Sequence, residues 1–190
     1  MNNHGIQPSI VEHLLTLLSL SADPDIFEKQ QESLYASLGA QYMDTAYQIK
    51  NFIDEIPGGF LIYRADEGER IIYANKALMR IYRCDTLEEF AALTQNSFRG
   101  MVHPDDLDEV ENSITEQIQN NKDDLDYVEY RIVDKYGNVH WVEDYGHYIR
   151  CDKTGDVYYV FISDATEKIA RRQMERTALL NEKREKEQKL

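Results

Sequence analysis

Apolar positions change their spacing along this chain, and each change marks a change of element. From Ser9 to Ile53 they recur at helical intervals: Ile10, Leu14, Leu17 and Leu18, then Ile26, Leu34 and Leu38, then Tyr42, Ala46, Ile49 and Ile53. That period predicts helices with one buried face. Ser9 with Glu12 makes a capping box at the first helix start. Asp23-Pro24-Asp25 gives a second helix its cap, a first-turn proline and a dipole-favoured acid, and Gly39 is a point where that helix can break. Such helices have no core of their own. They are expected to bury their apolar faces on the following domain or on a second copy of the chain, which makes them dimerisation candidates.

At Pro57-Gly58-Gly59 the pattern shifts to short β-rich runs, Phe60–Tyr63 and Ile71–Tyr73, and Gly68 in the polar stretch between them suits a hairpin. Helical character returns over Asn75–Arg83, Leu87–Leu93 and Leu107–Ile118. His103-Pro104-Asp105-Asp106 starts the last of these, with a first-turn proline and two carboxylates at the positive end of the helix. Three strands in meander order follow, Asp126–Asp134, Val139–Arg150 and Val157–Ile162, with turns at Tyr136-Gly137-Asn138 and Lys153-Thr154-Gly155-Asp156. From Thr166 the chain reads as a polar helix to Leu190. Hairpin and meander neighbours pair, so the order predicts an α+β fold: a five-stranded antiparallel sheet with short helices on one face, N-terminal helices before it and one long helix after it.

The 190 residues suffice for one domain with flanking helices, divided here as a helical segment over 1–52, a central domain over 53–167 and a linker helix over 168–190. A formal charge of −14 repels phosphate backbones and anionic membrane surfaces, so neither nucleic acid nor membrane is expected as a partner. The linker departs from this: residues 170–190 hold seven basic and four acidic side chains. Cys84 and Cys151 form no CxxC pattern, which argues against a disulfide framework or a zinc ribbon and for a reducing compartment. The apolar stretch Ile10–Leu20 is interrupted by Glu12 and His13, and the first basic residue is Lys29. It lacks a basic leader and the length of a membrane span, so the expected location is cytoplasmic. The 13 tyrosines, against 6 phenylalanines, fit strands and half-polar pockets better than an all-helical core.

In this order the segments resemble a PAS domain with a PAC-type C-terminal half, over about Asn51–Glu167. The resemblance rests on Ile53-Asp54-Glu55-Ile56-Pro57-Gly58-Gly59-Phe60 at the first strand, Ile72-Tyr73-Ala74-Asn75-Lys76-Ala77 at the second, and Val102-His103-Pro104-Asp105-Asp106 at the long helix. Tyr130-Arg131-Ile132 through Gly137, Trp141 and Val142 match the two long strands, and Asp164-Ala165-Thr166-Glu167-Lys168 the strand end. Arg83-Cys84 departs from the pattern, standing where a glycine often follows the first helix. The resemblance implies an N-terminal sensory and dimerising module of a bacterial signalling protein, such as a sensor histidine kinase or a diguanylate cyclase. Its expected partners are a second copy, a downstream output domain and a small ligand. No output domain is visible in the sequence, so the chain reads as a fragment ending in its linker or as a stand-alone regulator.

Candidate residues carry a sharp and a bland reading. Asp164 and Thr166 are assigned to signal transfer, with Thr166 capping the helix and Lys168 in reach of Asp164; an ordinary cap is the plain alternative. Asn75, His103, Pro104, Asp105 and Asp106 are read as structural, and no metal is assigned to them. His140 and His147 fall on opposite faces of one strand, which disfavours a shared metal and leaves haem unsupported. Neither cysteine sits in the Asn-Cys-Arg-Phe pattern of flavin-binding family members, which disfavours covalent flavin chemistry and leaves the cofactor unknown. Pocket candidates between sheet and helices are Tyr73, Met79, Tyr82, Phe98, Met101, Tyr130, Trp141 and Tyr159. No nucleophile–base constellation or phosphate loop appears, so no enzyme activity is expected, and the alternative to sensing is a ligand-free dimerisation scaffold.

Overall fold

The alternation in the second half of the chain builds the sheet. The structure is a computed structural model that describes residues 40–151 and 155–188. The helices expected between Ser9 and Leu38, and residues 152–154 of the last turn, lie outside the described residues. Helix α1 (Ala40–Glu55) leads into β1 (Gly59–Arg64) and β2 (Ile71–Ala74). Helices α2 (Lys76–Ile81), α3 (Leu87–Thr94) and α4 (Leu107–Asn120) precede β3 (Leu125–Val133), β4 (Val139–Ile149), β5 (Val157–Asp164) and α5 (Thr166–Gln188). The sheet order is β2-β1-β5-β4-β3, antiparallel at every pairing. The expected hairpin and meander are both present, joined where β1 pairs with β5 from Gly59↔Ile162 to Arg64↔Val157.

Strand alternation sorts side chains onto two faces. Leu61 and Tyr63, Val128, Tyr130 and Ile132, Val142, and Val160 and Ile162 point inward against Leu78, Tyr82, Phe90, Phe98, Met101, Val110 and Ile114 from the helical side. On the other face Ile62, Tyr73 and Val157 form a smaller cluster, which Ile53 of α1 covers with Phe60, Ile149 and Tyr159.

Local chemistry fixes the joints. Asn75, fully buried, accepts from the backbone N–H of Leu78 and of Phe60, both at 2.9 Å, and donates to the carbonyls of Ile53 and Gly58, both at 3.0 Å. One amide therefore caps α2 and holds the end of α1 and the start of β1. Thr86 caps α3 by accepting from Glu89 N–H. Asp106 stands at the start of α4 but makes no capping bond. Its carboxylate accepts from the backbone and guanidinium of Arg131 on β3, which takes it away from the helix end where the sequence placed it. His103 likewise braces this turn: its N–H donates to Arg131 O at 2.7 Å and its Nδ1 accepts from Asp105 N–H.

Arg83, where the family pattern favours glycine, has φ +58°. The left-handed turn is retained with a residue that carries a Cβ, at a cost of about 1 kcal/mol. At the sheet edge, Gln117 of α4 donates to Tyr127 O at 2.9 Å and accepts from Tyr127 N–H at 3.0 Å, occupying backbone groups that a neighbouring strand would use.

Candidate functional site

On the inner face of β3 and β4 the alternation delivers two acids into the core. Asp126 is 6% exposed and Asp144 1%. In the ladder Asp126 lies opposite Gly146 and Val128 opposite Asp144, so the two acids are diagonal neighbours. A Cβ on Gly146 would stand 2.2 Å from Asp126 Oδ2, so the carboxyl occupies the place a side chain would take. Tyr130 donates to Asp144 Oδ2 at 2.8 Å, while Asp126 Oδ2 has no hydrogen-bond partner among the described residues. Aromatic rings surround the pair: Tyr63 stacks on Phe98 and on Tyr158, and Phe98 meets Tyr130 edge-on. Burial penalises charge here. It pushes the Asp126 carboxyl up to about 6 and Asp144 well above the usual carboxylate range.

The outer face of the same strands holds the long helix. Lys168 pairs with Glu143 of β4, and Arg172 makes a two-pronged pair with Glu129 of β3, one prong at 3.0 Å. The Tyr127 hydroxyl lies 2.7 Å from Glu129 Oε1 and 2.9 Å from Glu143 Oε1, tying the two acceptors together. The guanidinium of Arg172 holds Glu129 down to about 2, and the ammonium of Lys168 lowers Glu143. Both acids keep their charge near neutral pH.

Between strand and helix lies the joint. Asp164 Oδ1 accepts from Thr166 N–H at 2.9 Å. Thr166 Oγ1 accepts from Trp141 N–H at 3.0 Å, and Ala165 N–H donates to Trp141 O at 2.8 Å. Thr166 thus fastens the helix start to β4 instead of capping its own helix, and Lys168 reaches Glu143 instead of Asp164. A groove of about 630 Å³ runs beside the joint, lined by His140, Asp164, Thr166, Glu167, Lys168 and Arg171.

A family model described as PAS fold matches residues 71–162. Over these residues the chain has the PAS fold. Solved structures agree on the fold. The sensory box histidine kinase/response regulator from Burkholderia thailandensis E264 is 15% identical with a TM-score of 0.54, covering 72% of this chain and 98% of its own. A PAS domain from Colwellia psychrerythraea is 16% identical with a TM-score of 0.51, covering 65% and 99%. An RNA-binding light-oxygen-voltage receptor is 14% identical with a TM-score of 0.58; the match covers 89% of this chain and 52% of that one. These identities carry the fold and nothing further. No curated protein matches the chain in sequence.

Within the PAS fold the pocket candidates divide. Tyr82, Phe98, Met101 and Tyr130 gather on the inner face and Met79 packs against them. Tyr73 and Tyr159 lie on the outer face, where the Tyr73 hydroxyl donates to Asp54 of α1. Trp141 is half-buried on that face with the Arg131 guanidinium 5.9 Å from its ring. Alternation separates them, because a side chain facing the pocket requires its neighbours in the strand to face away. Asn75 and Asp106 sit at the structural joints already described, and Pro104 and Asp105 are exposed beside His103. His140 lies 2.9 Å from Asp134 Oδ2 at the β3–β4 turn, and His147 is exposed. Cys84 is buried, and Cys151 half-buried. The residues passed over in sequence are Asp126 and Asp144 inside and Glu129 and Glu143 outside. Their signal was parity: each acid shares a face with its strand's alternate residues.

Proposed function

We propose that this chain is a sensory and regulatory module whose interior state is transmitted through Asp164-Ala165-Thr166 and α5 to a downstream output domain. One observation carries the reading: α5 is held by Lys168–Glu143 and Arg172–Glu129 on the same two strands whose inner faces carry Asp126 and Asp144. A change inside the sheet therefore bears on the helix through consecutive residues, Glu143 and Asp144. Transmission requires that the stimulus bind two helix arrangements with different affinity. The working location is cytoplasmic, and no helix among the described residues is long and apolar enough to cross a membrane. The test is a thermal-shift screen of metabolites with native mass spectrometry of the intact chain. A retained or stabilising small molecule, with altered hydrogen exchange in α5, supports sensing; a stabilised core with unchanged α5 exchange overturns transmission.

A second reading, a dimerisation scaffold, is favoured by the exposed aromatic residues Tyr127, Tyr145 and Phe161 on the outer face and Tyr47 and Phe52 on α1. A dimer that binds nothing in the screen supports it, and a monomer at micromolar concentration overturns it.

A further inference from the structure

The pair inside the sheet lacks what buried acids ordinarily have. Buried carboxylates in proteins are paired with a base or fully hydrogen-bonded, because an isolated charge in a low dielectric is strongly unfavourable. The buried polar residues here are Asn75, Thr94, Asp126, Asp134, Glu143 and Asp144, with no basic side chain among them within the described residues. Asp134 accepts from the N–H groups of Tyr136 and Asn138 in its own turn and lies against His140, and Glu143 has Lys168. Among the described residues, Asp126 and Asp144 have neither a cation nor a full set of donors. One oxygen of Asp126 is sealed from water with nothing among the described residues to accept from. The species that completes such an oxygen without further room is a proton.

Among the described residues, the ionisable groups facing the pair give no alternative. They are Tyr130 on β3, Tyr63 on β1, Tyr158 on β5 and Tyr82 after α2, with Cys84 beside Tyr82 and with Glu69 and Asp124 further out. Helix α4 presents Val110 and Ile114 to the same core. All are apolar, phenolic, thiol or acidic.

We propose that the stimulus read by this PAS domain is the proton: Asp126 and Asp144 form a buried proton-binding site on β3 and β4, and its occupancy sets whether α5 stays docked on the outer face of those strands. This rests on the transmission reading above and names its input. With both acids protonated the sheet packs as described, and the Glu129 and Glu143 carboxylates stand in register for Arg172 and Lys168. Loss of a proton leaves a negative charge facing phenols, a second acid and apolar side chains. The relief available is separation of β3 and β4 from the helical layer and entry of water, which moves the clamp. Rising pH therefore releases α5. The clamp cannot produce this response itself, because Glu129 and Glu143 are already charged throughout the neutral range. The setting of Asp126 near 6 places the response close to neutrality.

The test follows the full chain from pH 5 to 8 by fluorescence of Trp141, the single tryptophan, which lies at the α5 joint, and by hydrogen exchange of the first α5 turns corrected for intrinsic rates. Expected is one transition in which α5 protection falls about tenfold with rising pH, the equivalent of one pK unit of coupling. The Asp126→Asn and Asp144→Asn double variant should keep α5 docked across the range. A wild type without a transition, or a transition retained in the double variant as a histidine origin would give, overturns the proposal. Carbon-detected NMR titration of the wild-type side chains guards against a variant that fails to fold: either aspartate titrating near 4 is also fatal. Glu129→Gln with Glu143→Gln separates the two readings. If α5 protection drops at every pH in that variant while the wild type shows no transition, transmission stands and the proton input falls; unchanged α5 protection in that variant removes both.

Discussion

The Tyr130 hydroxyl donates a 2.8 Å hydrogen bond to Asp144 in a part of the core where both side chains are sealed from water. Tyr130→Phe keeps the ring and its edge-on contact with Phe98 but removes the donor. The buried acid then has no partner, and the expected loss is about 1–3 kcal/mol in urea denaturation at pH 5. An unchanged midpoint would show that this bond adds nothing to the fold.

Asn75 serves four backbone groups from three segments, so Asn75→Ala should cost about 3 kcal/mol or more, well above the roughly 1 kcal/mol of an ordinary helix cap. Asn75→Asp tests the division of labour. It keeps both acceptor bonds but places a carboxylate oxygen against the carbonyls of Ile53 and Gly58, and it should recover only part of the loss in the same measurement.

Arg83 offers a gain. Its φ of +58° is strained for any residue with a Cβ, and its side chain is exposed. Arg83→Gly should raise stability by about 0.5–1 kcal/mol, read as a shift in denaturation midpoint with unchanged slope. A lowered midpoint would mean that the arginine stabilises the turn by more than the strain it carries.

The clamp on α5 responds to acid in the opposite sense to the interior. Glu129 in the folded chain binds its proton more weakly than the usual value of 4.5, at about 2. Its stabilising contribution is therefore fully present above about pH 4.5 and is lost as pH falls through about 2. Asp126, raised from 3.8 to about 6, contributes stability that is present below 3.8 and is lost as pH rises through about 6. Helix docking, followed by α5 exchange, should pass through a maximum between these limits. Exposed Lys168 and Arg172 make the clamp a modest contributor, screened by solvent and weakened by salt. Lys168→Met with Arg172→Met should abolish the acid limb and leave the neutral limb in the core's own stability.

The strands, the hairpin and the PAS order were legible because alternation and turn residues are local signals. The site was legible only in part, for two physical reasons. Facing depends on a single residue of register, which is why Tyr73 and Tyr159 stand with Phe60 on the outer face and not with Tyr130. Parity had the answer for the acids: Asp126 shares a face with Val128 and Tyr130, and Asp144 with Val142. A polar residue in a buried alternation marks either a loop or a functional core. The clamp could not be read from spacing at all, since its partners lie 25 and 43 residues apart and meet only after β3, β4 and α5 are in place.

Gln117 has a consequence for how copies of this chain can meet. A bare outer strand invites another strand to add to it, and repetition of that step leads to open-ended assembly. By offering Tyr127 a side-chain amide in place of a neighbouring backbone, α4 closes part of the β3 border to that growth, and Asp106 and His103 do the same at Arg131. Of the sheet's two borders, the one at β3 is thereby guarded at Tyr127 and Arg131 against the addition of a further strand.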